Sequence, residues 1–310
     1  MSKVAVVQAS SVPFDTPATV AKAIRLIREC ADQGAELAVF PEAFIGGYPK
    51  GADFGAVVGS RTPQGRKAYR RYVEAAVTLD DPLMAELGEA VREAGITVVT
   101  GVIERLGNTL YCTAVTFAAD GSIAGHHRKL MPTGSERLIW GFGDGSTIGT
   151  VDTPVGRLGS VICWENYMPM LRQAMYAQGT EIYCAPTADD RPTWISSMIH
   201  IALEGRVHVL TACQAIRWDE FPDDYEREQR DRDTWAMRGG SAIIAPSGEV
   251  LAGPVFDEET ILCADIDPGA KTDGHLDFDP AGHYARPDVF RLQVDTGAKN
   301  AVTLDPGTGH

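Results

Sequence analysis

Apolar positions along the chain fall into two kinds of run that alternate. Short, continuous, β-branched stretches read as strands buried on both faces: KVAVVQAS from Lys3, LAVF from Leu37, ITVVTGVIE from Ile96, EIYCAPT from Glu181 and VHVLTACQA from Val207. Between them the apolar residues recur every three or four positions, as helices require. Val20, Ile24 and Ile27 form such a stripe within 17–34, where Gly34 is the stop signal. Further helices are expected over about 62–76, 81–94, 168–178 and 194–206, the last with Ile195, Ile199 and Ala202 on one face. Asp120-Gly121 in AADGSIAG, the DTPVGRLG stretch and Ser247-Gly248 in SAIIAPSGEVLAG each mark a hairpin.

Helices between strands, with hairpins added, imply an α/β protein whose mixed sheets are covered by helices. No repeat or low-complexity linker divides the chain, so residues 1–270 are expected to form one domain. Periodicity is lost after about residue 286, and 291–310 is expected to be a mobile tail. The stretch 219–233, with eight acids against three arginines, reads as a solvated surface loop.

Composition narrows the function. The 310 residues carry 42 acids against 28 bases, a net charge of −14, which argues against a nucleic-acid partner or a polybasic membrane contact. No apolar run approaches the roughly 18 residues needed to span a bilayer. The N-terminus runs straight into a strand-like segment with no leader before it, so the cytoplasm is the expected compartment. Six cysteines without a C-x-x-C pair fit free, buried, intracellular thiols rather than a disulfide frame or zinc site. The adjacent His126 and His127 point to opposite faces of a strand, so no metal is expected there. GFGDGST lacks the lysine and following helix of a phosphate loop.

Three strand ends carry reactive groups: Glu42 after LAVFP, Lys129 in HHRKLMPTG, and Cys163 in GSVICWENYMP. Each alone reads as an ordinary loop or core residue. Together they form a nucleophile, a base to deprotonate it and a cation to stabilise the charge that develops. Spacing in sequence does not establish that they meet.

Over residues 3–290 the chain resembles the nitrilase family of the carbon–nitrogen hydrolase superfamily. FPEAFIGGYP, HRKLMPT and CWEN resemble its glutamate, lysine and cysteine motifs and stand in the same order. ERLIWGFGDGST, EIYCAPTAD, HIALEGR and GHYARPDVF look like the branch of true nitrilases. The resemblance implies a four-layer α-β-β-α sandwich, with Cys163 as nucleophile, Glu42 as base, Lys129 as stabiliser and Glu136 as an auxiliary carboxylate. It implies Tyr48 and Trp164 in the pocket, and Pro186, Thr187 and Trp194 as further lining. Glu165 and Asn166 stand open between structural and catalytic roles. The implied reaction takes a small-molecule nitrile to its carboxylic acid and ammonia through a cysteine thioimidate and thioester, with no cofactor and no metal. Homodimers growing into larger spirals are also implied, with 271–290 as an interface arm. An amidase or carbamoylase, or a cyanide-degrading enzyme, would use the same triad. A non-catalytic assembly scaffold would have no need of all three residues.

Overall fold

Strand β1 (Ser2–Gln8) shows how the layers arise. Its successive side chains point to opposite faces, and both faces are buried: Ala5 and Val7 enter one apolar cluster, Val4 and Val6 another. The computed structural model describes residues 1–225, 231–300 and 302. After β1 come α1 (Thr16–Asp32), β2 (Leu37–Val39), the small hairpin β3 (Ala56–Val57) and β4 (Ser60–Arg61), α2 (Pro63–Ala75) and α3 (Pro82–Ala94). A meander follows: β5 (Thr97–Leu106), β6 (Thr109–Phe117) and β7 (Ile123–Arg128). The second half contains β8 (Thr150–Thr153), β9 (Gly156–Ser160), α4 (Pro169–Ala177), β10 (Ile182–Thr187), α5 (Trp194–Gly205) and β11 (His208–Cys213). It ends with β12 (Ala215–Arg217), β13 (Trp235–Ile244), β14 (Val250–Phe256), β15 (Thr260–Ile266) and α6 (Ala270–His275).

Two sheets result, one ordered β15-β1-β2-β5-β6-β7, the other β12-β13-β11-β10-β9-β8 with β14 beside β13. In each sheet the central three strands, β1-β2-β5 and β9-β10-β11, run parallel. Their outer partners run antiparallel. Val20, Ala23 and Ile27 of α1 and Leu87 and Val91 of α3 cover the outer face of the first sheet. Met198, Ile201 and Ala202 of α5, with Leu171 and Met175 of α4, cover the second. Between the sheets, Val6, Val39 and Val99 meet Leu158, Cys184 and Leu210. Each such aliphatic side chain contributes about 1.5–3 kcal/mol by leaving water. The order of layers is α-β-β-α, as the resemblance implied.

Capping sets the helix starts. Asp15, Thr62 and Asp81 accept the N–H groups of Ala18, Gly65 and Leu83, with a proline in the first turn each time. One expectation shifts: β9 stops at Ser160, so Cys163 opens a short 3₁₀ turn, Cys163–Tyr167, rather than ending a strand.

The acidic 219–233 stretch lies partly outside the described residues, at 226–230. Of the rest, Asp224 pairs with Arg71 and Asp223 with Arg232 at the surface. The 291–310 stretch likewise lies partly outside them, at 301 and 303–310. Its described part has no regular structure, and the Lys299 N–H donates to the Asp144 carboxylate. Among the described residues no helix is long and apolar enough to cross a membrane.

Candidate active site

The turn that carries Glu42 leaves β2 and folds back over β5. Gly101 N–H donates to Pro41 O at 3.1 Å. A Cβ at Gly101 would lie 2.4 Å from Pro41 O and 2.7 Å from Glu42 Cα, so only glycine lets the turn pack this closely. Lys129 directly follows β7 and is pinned by its own backbone: its N–H donates to Cys112 O, and its carbonyl accepts from Gly143, both at 2.8 Å. Cys163 has φ +49°, a left-handed conformation that a non-glycine residue holds only under external constraint. Two neighbours supply that constraint. Glu165 accepts the Ile162 N–H at 2.9 Å, and the Asn166 amide donates to Val161 O and to Cys163 O at 2.7 Å.

The side chains converge. Lys129 Nζ donates to Glu42 Oε1 at 2.7 Å and to Glu136 Oε2 at 2.8 Å, in a pocket fully closed to solvent around the ammonium. Glu136 also accepts the Thr133 N–H at 2.6 Å and the Tyr48 hydroxyl at 2.7 Å. The Lys129 ammonium lies 5.4 Å from the centre of the Trp140 ring. Burial works against the Lys129 charge, but Glu42 and its neighbours outweigh it and hold the ammonium well above its usual range.

Burial pushes the Glu42 carboxyl upward; Lys129 opposes this, and Glu136 adds to it. Glu42 Oε1 takes Lys129 and, at 3.5 Å, the Cys112 thiol. Oε2 has no hydrogen-bond partner among the described residues, which leaves it as the oxygen able to take a proton. The Cys163 sulfur accepts the Thr187 hydroxyl at 3.2 Å. Burial, then Glu42, push this thiol up to about 12, while Lys129 and Thr187 pull the other way. Cys163 therefore rests as a thiol and needs a base to react.

A cavity of about 300 Å³ opens in front of the sulfur, with Tyr48, Lys50, Thr133, Glu136, Trp164 and Asp189 in its walls. It shares Tyr48, Lys50, Thr133 and Glu136 with a larger groove of about 810 Å³ that is lined further by Phe54, Leu138 and Ile139. A thiol beside a carboxylate base and a buried cation can attack an electrophilic carbon. Among the described residues no cluster of His, Cys, Asp or Glu has the form of a metal site.

Residues 3–272 match the carbon–nitrogen hydrolase family. The chain belongs to the carbon–nitrogen hydrolases. Over 301 residues, 97% of this chain and 97% of the relative, it is 56% identical to an aliphatic nitrilase of Sinorhizobium fredii. It is 58% identical to a nitrilase of Bradyrhizobium diazoefficiens over 97% of this chain and 94% of that one. It is 51% identical to a bifunctional nitrilase/nitrile hydratase of Lupinus angustifolius over 96% and 87%. Within the carbon–nitrogen hydrolases it is thus of nitrilase type. The fold is shared with a carbon–nitrogen hydrolase of Helicobacter pylori, at a TM-score of 0.74 and 20% identity over 93% of this chain and 96% of that one.

Of the residues singled out in this hydrolase, Lys129 is hydrogen-bonded to Glu42 and Glu136, and Glu136 to Tyr48, while Thr187 is bonded to Cys163; Tyr48, Glu136 and Cys163 line one cavity. Trp164 borders the cavity, its indole N–H donating to Asp189 at 2.8 Å. Pro186 is buried inside β10, in register with Ala212 of β11. Trp194 belongs elsewhere: it is packed in the cluster between α5 and the second sheet, and its indole N–H donates to Thr211 at 2.9 Å.

Three participants were not singled out from the sequence. Cys112 touches the base, while Asp189 holds Trp164 and takes a forked ion pair from Arg191, whose guanidinium lies 4.9 Å from the Trp164 ring centre. Arg191 two positions after Asp189 was a local signal for that pair; nothing local signalled Cys112.

Proposed function

We propose that this protein hydrolyses an organic nitrile, R–C≡N, to the carboxylic acid and ammonia, with Cys163 as nucleophile. The observation that carries this reading is a buried thiol beside a carboxylate with one unpartnered oxygen, Glu42 Oε2, in a chain so similar to nitrilases along nearly its whole length.

Glu42 takes the Cys163 proton as sulfur attacks the nitrile carbon. Lys129 and a backbone N–H near Trp164 stabilise the charge on nitrogen until it is protonated, giving a thioimidate. Glu42 then activates a water whose addition gives a tetrahedral carbon bearing sulfur, oxygen and nitrogen. Loss of ammonia leaves a thioester, and a second water releases the acid, so each nitrile consumes two waters. Expulsion of sulfur in place of nitrogen releases the amide as a minor product. The bifunctional name of the Lupinus relative favours that leak here as well.

Tyr48 and Trp164 line the substrate cavity, with Thr187 beneath the sulfur. Residues 271–290 act as an arm between copies in a homodimer or larger assembly; Leu276, Tyr284 and Phe290 are 86%, 57% and 78% exposed. The free state of all six cysteines supports a reducing, cytoplasmic setting.

The test is ammonia release and product analysis on paired nitriles and amides with equal R groups. The nitrile is expected to react with much the higher kcat/KM and to yield mainly acid, and Cys163→Ala to abolish turnover. Efficient amide turnover with none on aliphatic, aryl or arylacetonitrile substrates would move the chain to the amidases.

A further inference from the structure

Behind the triad, on the side away from the cavity, lies a carboxylate that the reaction does not use. Glu165 is 1% exposed. Its Oε1 accepts the Leu130 N–H at 2.6 Å and its Oε2 the Ile162 N–H at 2.9 Å. Leu130 is the residue directly after Lys129, and Ile162 the residue directly before Cys163. One side chain thus ties the strand end of the first sheet that carries the cation to the turn of the second that carries the nucleophile.

The third partner is His127. Its Nε2 lies 3.1 Å from Glu165 Oε2, and its Nδ1 lies 3.3 Å from Thr147 O. Both neighbours are acceptors; burial works against a charged ring, but Glu165 outweighs it and holds the imidazole above its usual range, which favours the doubly protonated form. A buried carboxylate held by a cation and two backbone N–H groups has all its strong interactions satisfied. It is also costly to alter, because each donor left without it is stranded away from water.

We propose that Glu165 and His127 are positioning residues for the nitrile reaction, a brace across the seam of the two sheets that sets the separation of Lys129 from Cys163. The inference rests on the reading of Cys163 as nucleophile. It explains why a full charge is buried here: a neutral amide at 165 would accept from only one of the two N–H groups and point its own NH₂ at the other. Neither residue touches the substrate cavity, so the brace acts on the geometry of the reacting groups and not on binding.

The test measures kcat and KM for nitrile hydrolysis per mole of Cys163 thiol in the folded fraction isolated by gel filtration and checked by circular dichroism, so that loss of folded protein is removed from the rate. Glu165→Gln is expected to lower kcat per thiol about 100-fold, the scale of an ångström of misplacement, with KM within about threefold. His127→Leu is expected to fall about tenfold, and His127→Gln, which restores an N–H toward Glu165, to recover most of it. Should Glu165→Gln fail to fold, the two His127 variants decide. A wild-type kcat per thiol in these variants, or a rise in KM alone, overturns the brace. Turnover surviving in Cys163→Ala overturns instead the reading on which it rests.

Discussion

The ammonium of Lys129 sits 2.7 Å from Glu42 Oε1, and both side chains are wholly shielded from solvent. Such a pair is a poor source of net stability, yet breaking it from one side leaves a charge stranded. Lys129→Met is therefore expected to cost about 3–5 kcal/mol in denaturant unfolding and to lower turnover by two to three orders of magnitude, roughly the cost of one stabilising donor. Adding Glu42→Gln is expected to restore much of the stability and none of the turnover. An unchanged unfolding midpoint in the single variant would contradict this account of the pair.

Thr187 donates its hydroxyl to the sulfur of Cys163 and accepts the Asp189 N–H. Losing that donor raises the thiol further and leaves an N–H unpaired. Thr187→Val is expected to reduce kcat about fivefold, equivalent to about 1 kcal/mol for one hydrogen bond, and to slow alkylation of Cys163. Thr187→Ser should stay near wild type, and a Ser variant as impaired as the Val variant would show that packing, not the hydroxyl, matters.

Glu136 shares Lys129 with Glu42, which makes its charge the candidate for tuning the leaving-group choice. Glu136→Gln keeps acceptors for Lys129 and Thr133 while removing the charge. The expected result is a changed acid-to-amide ratio, where a shift of about 1.4 kcal/mol between the two exits alters it tenfold. Chromatography of products from one nitrile reads the ratio directly; an identical ratio would remove Glu136 from the partition step.

His208 on β11 is buried, and burial pulls its imidazole down from 6.5 to about 4. The unfolded chain then binds the proton more readily than the folded one. Stability is full above pH 6.5 and is lost as pH falls toward 4, by up to about 3 kcal/mol from this residue. His208→Gln is expected to flatten that part of the unfolding profile. Parallel profiles for variant and wild type across pH 4–6.5 would refute the assignment.

The 271–290 segment is anchored to its own chain by Lys271, which donates to Gly179 O and Thr180 O, and by Gln173, which donates to Pro280 O. Beyond those anchors its aromatic side chains face outward. Truncation before Asp277 is expected to give smaller particles on gel filtration and lower specific activity. An unchanged elution volume would show that this arm joins no copies.

Glu42 and Lys129 were legible as residues just past strand ends because apolar runs stop abruptly there. Cys163 was legible only as the end of an apolar run and not as the start of a turn, and the resemblance supplied the meeting of the three. The strand that carries His126 and His127, with its alternation of faces, was legible too. What that alternation does not carry is the partner: His127 reaches Glu165 only because the two sheets dock. Trp194 illustrates the converse. An aromatic near a helix start is compatible with either side of α5, and its indole found a hydroxyl on β11 in the outer layer instead of the cavity. The left-handed backbone of Cys163 left no mark in the sequence, since its cause is held by residues that follow it.

Strand β15 closes the first sheet by pairing along the whole of β1, from Ser2 with Ile266 to Gln8 with Thr260. Glu42 and Lys129 belong to the sheet closed in this way, while Cys163 belongs to its facing partner, whose β13 and β14 are also late in the chain. Removing β15 would therefore expose the whole edge of β1, and removing β13 would expose the edge of β11, so strands that carry none of the three groups complete both sheets that do.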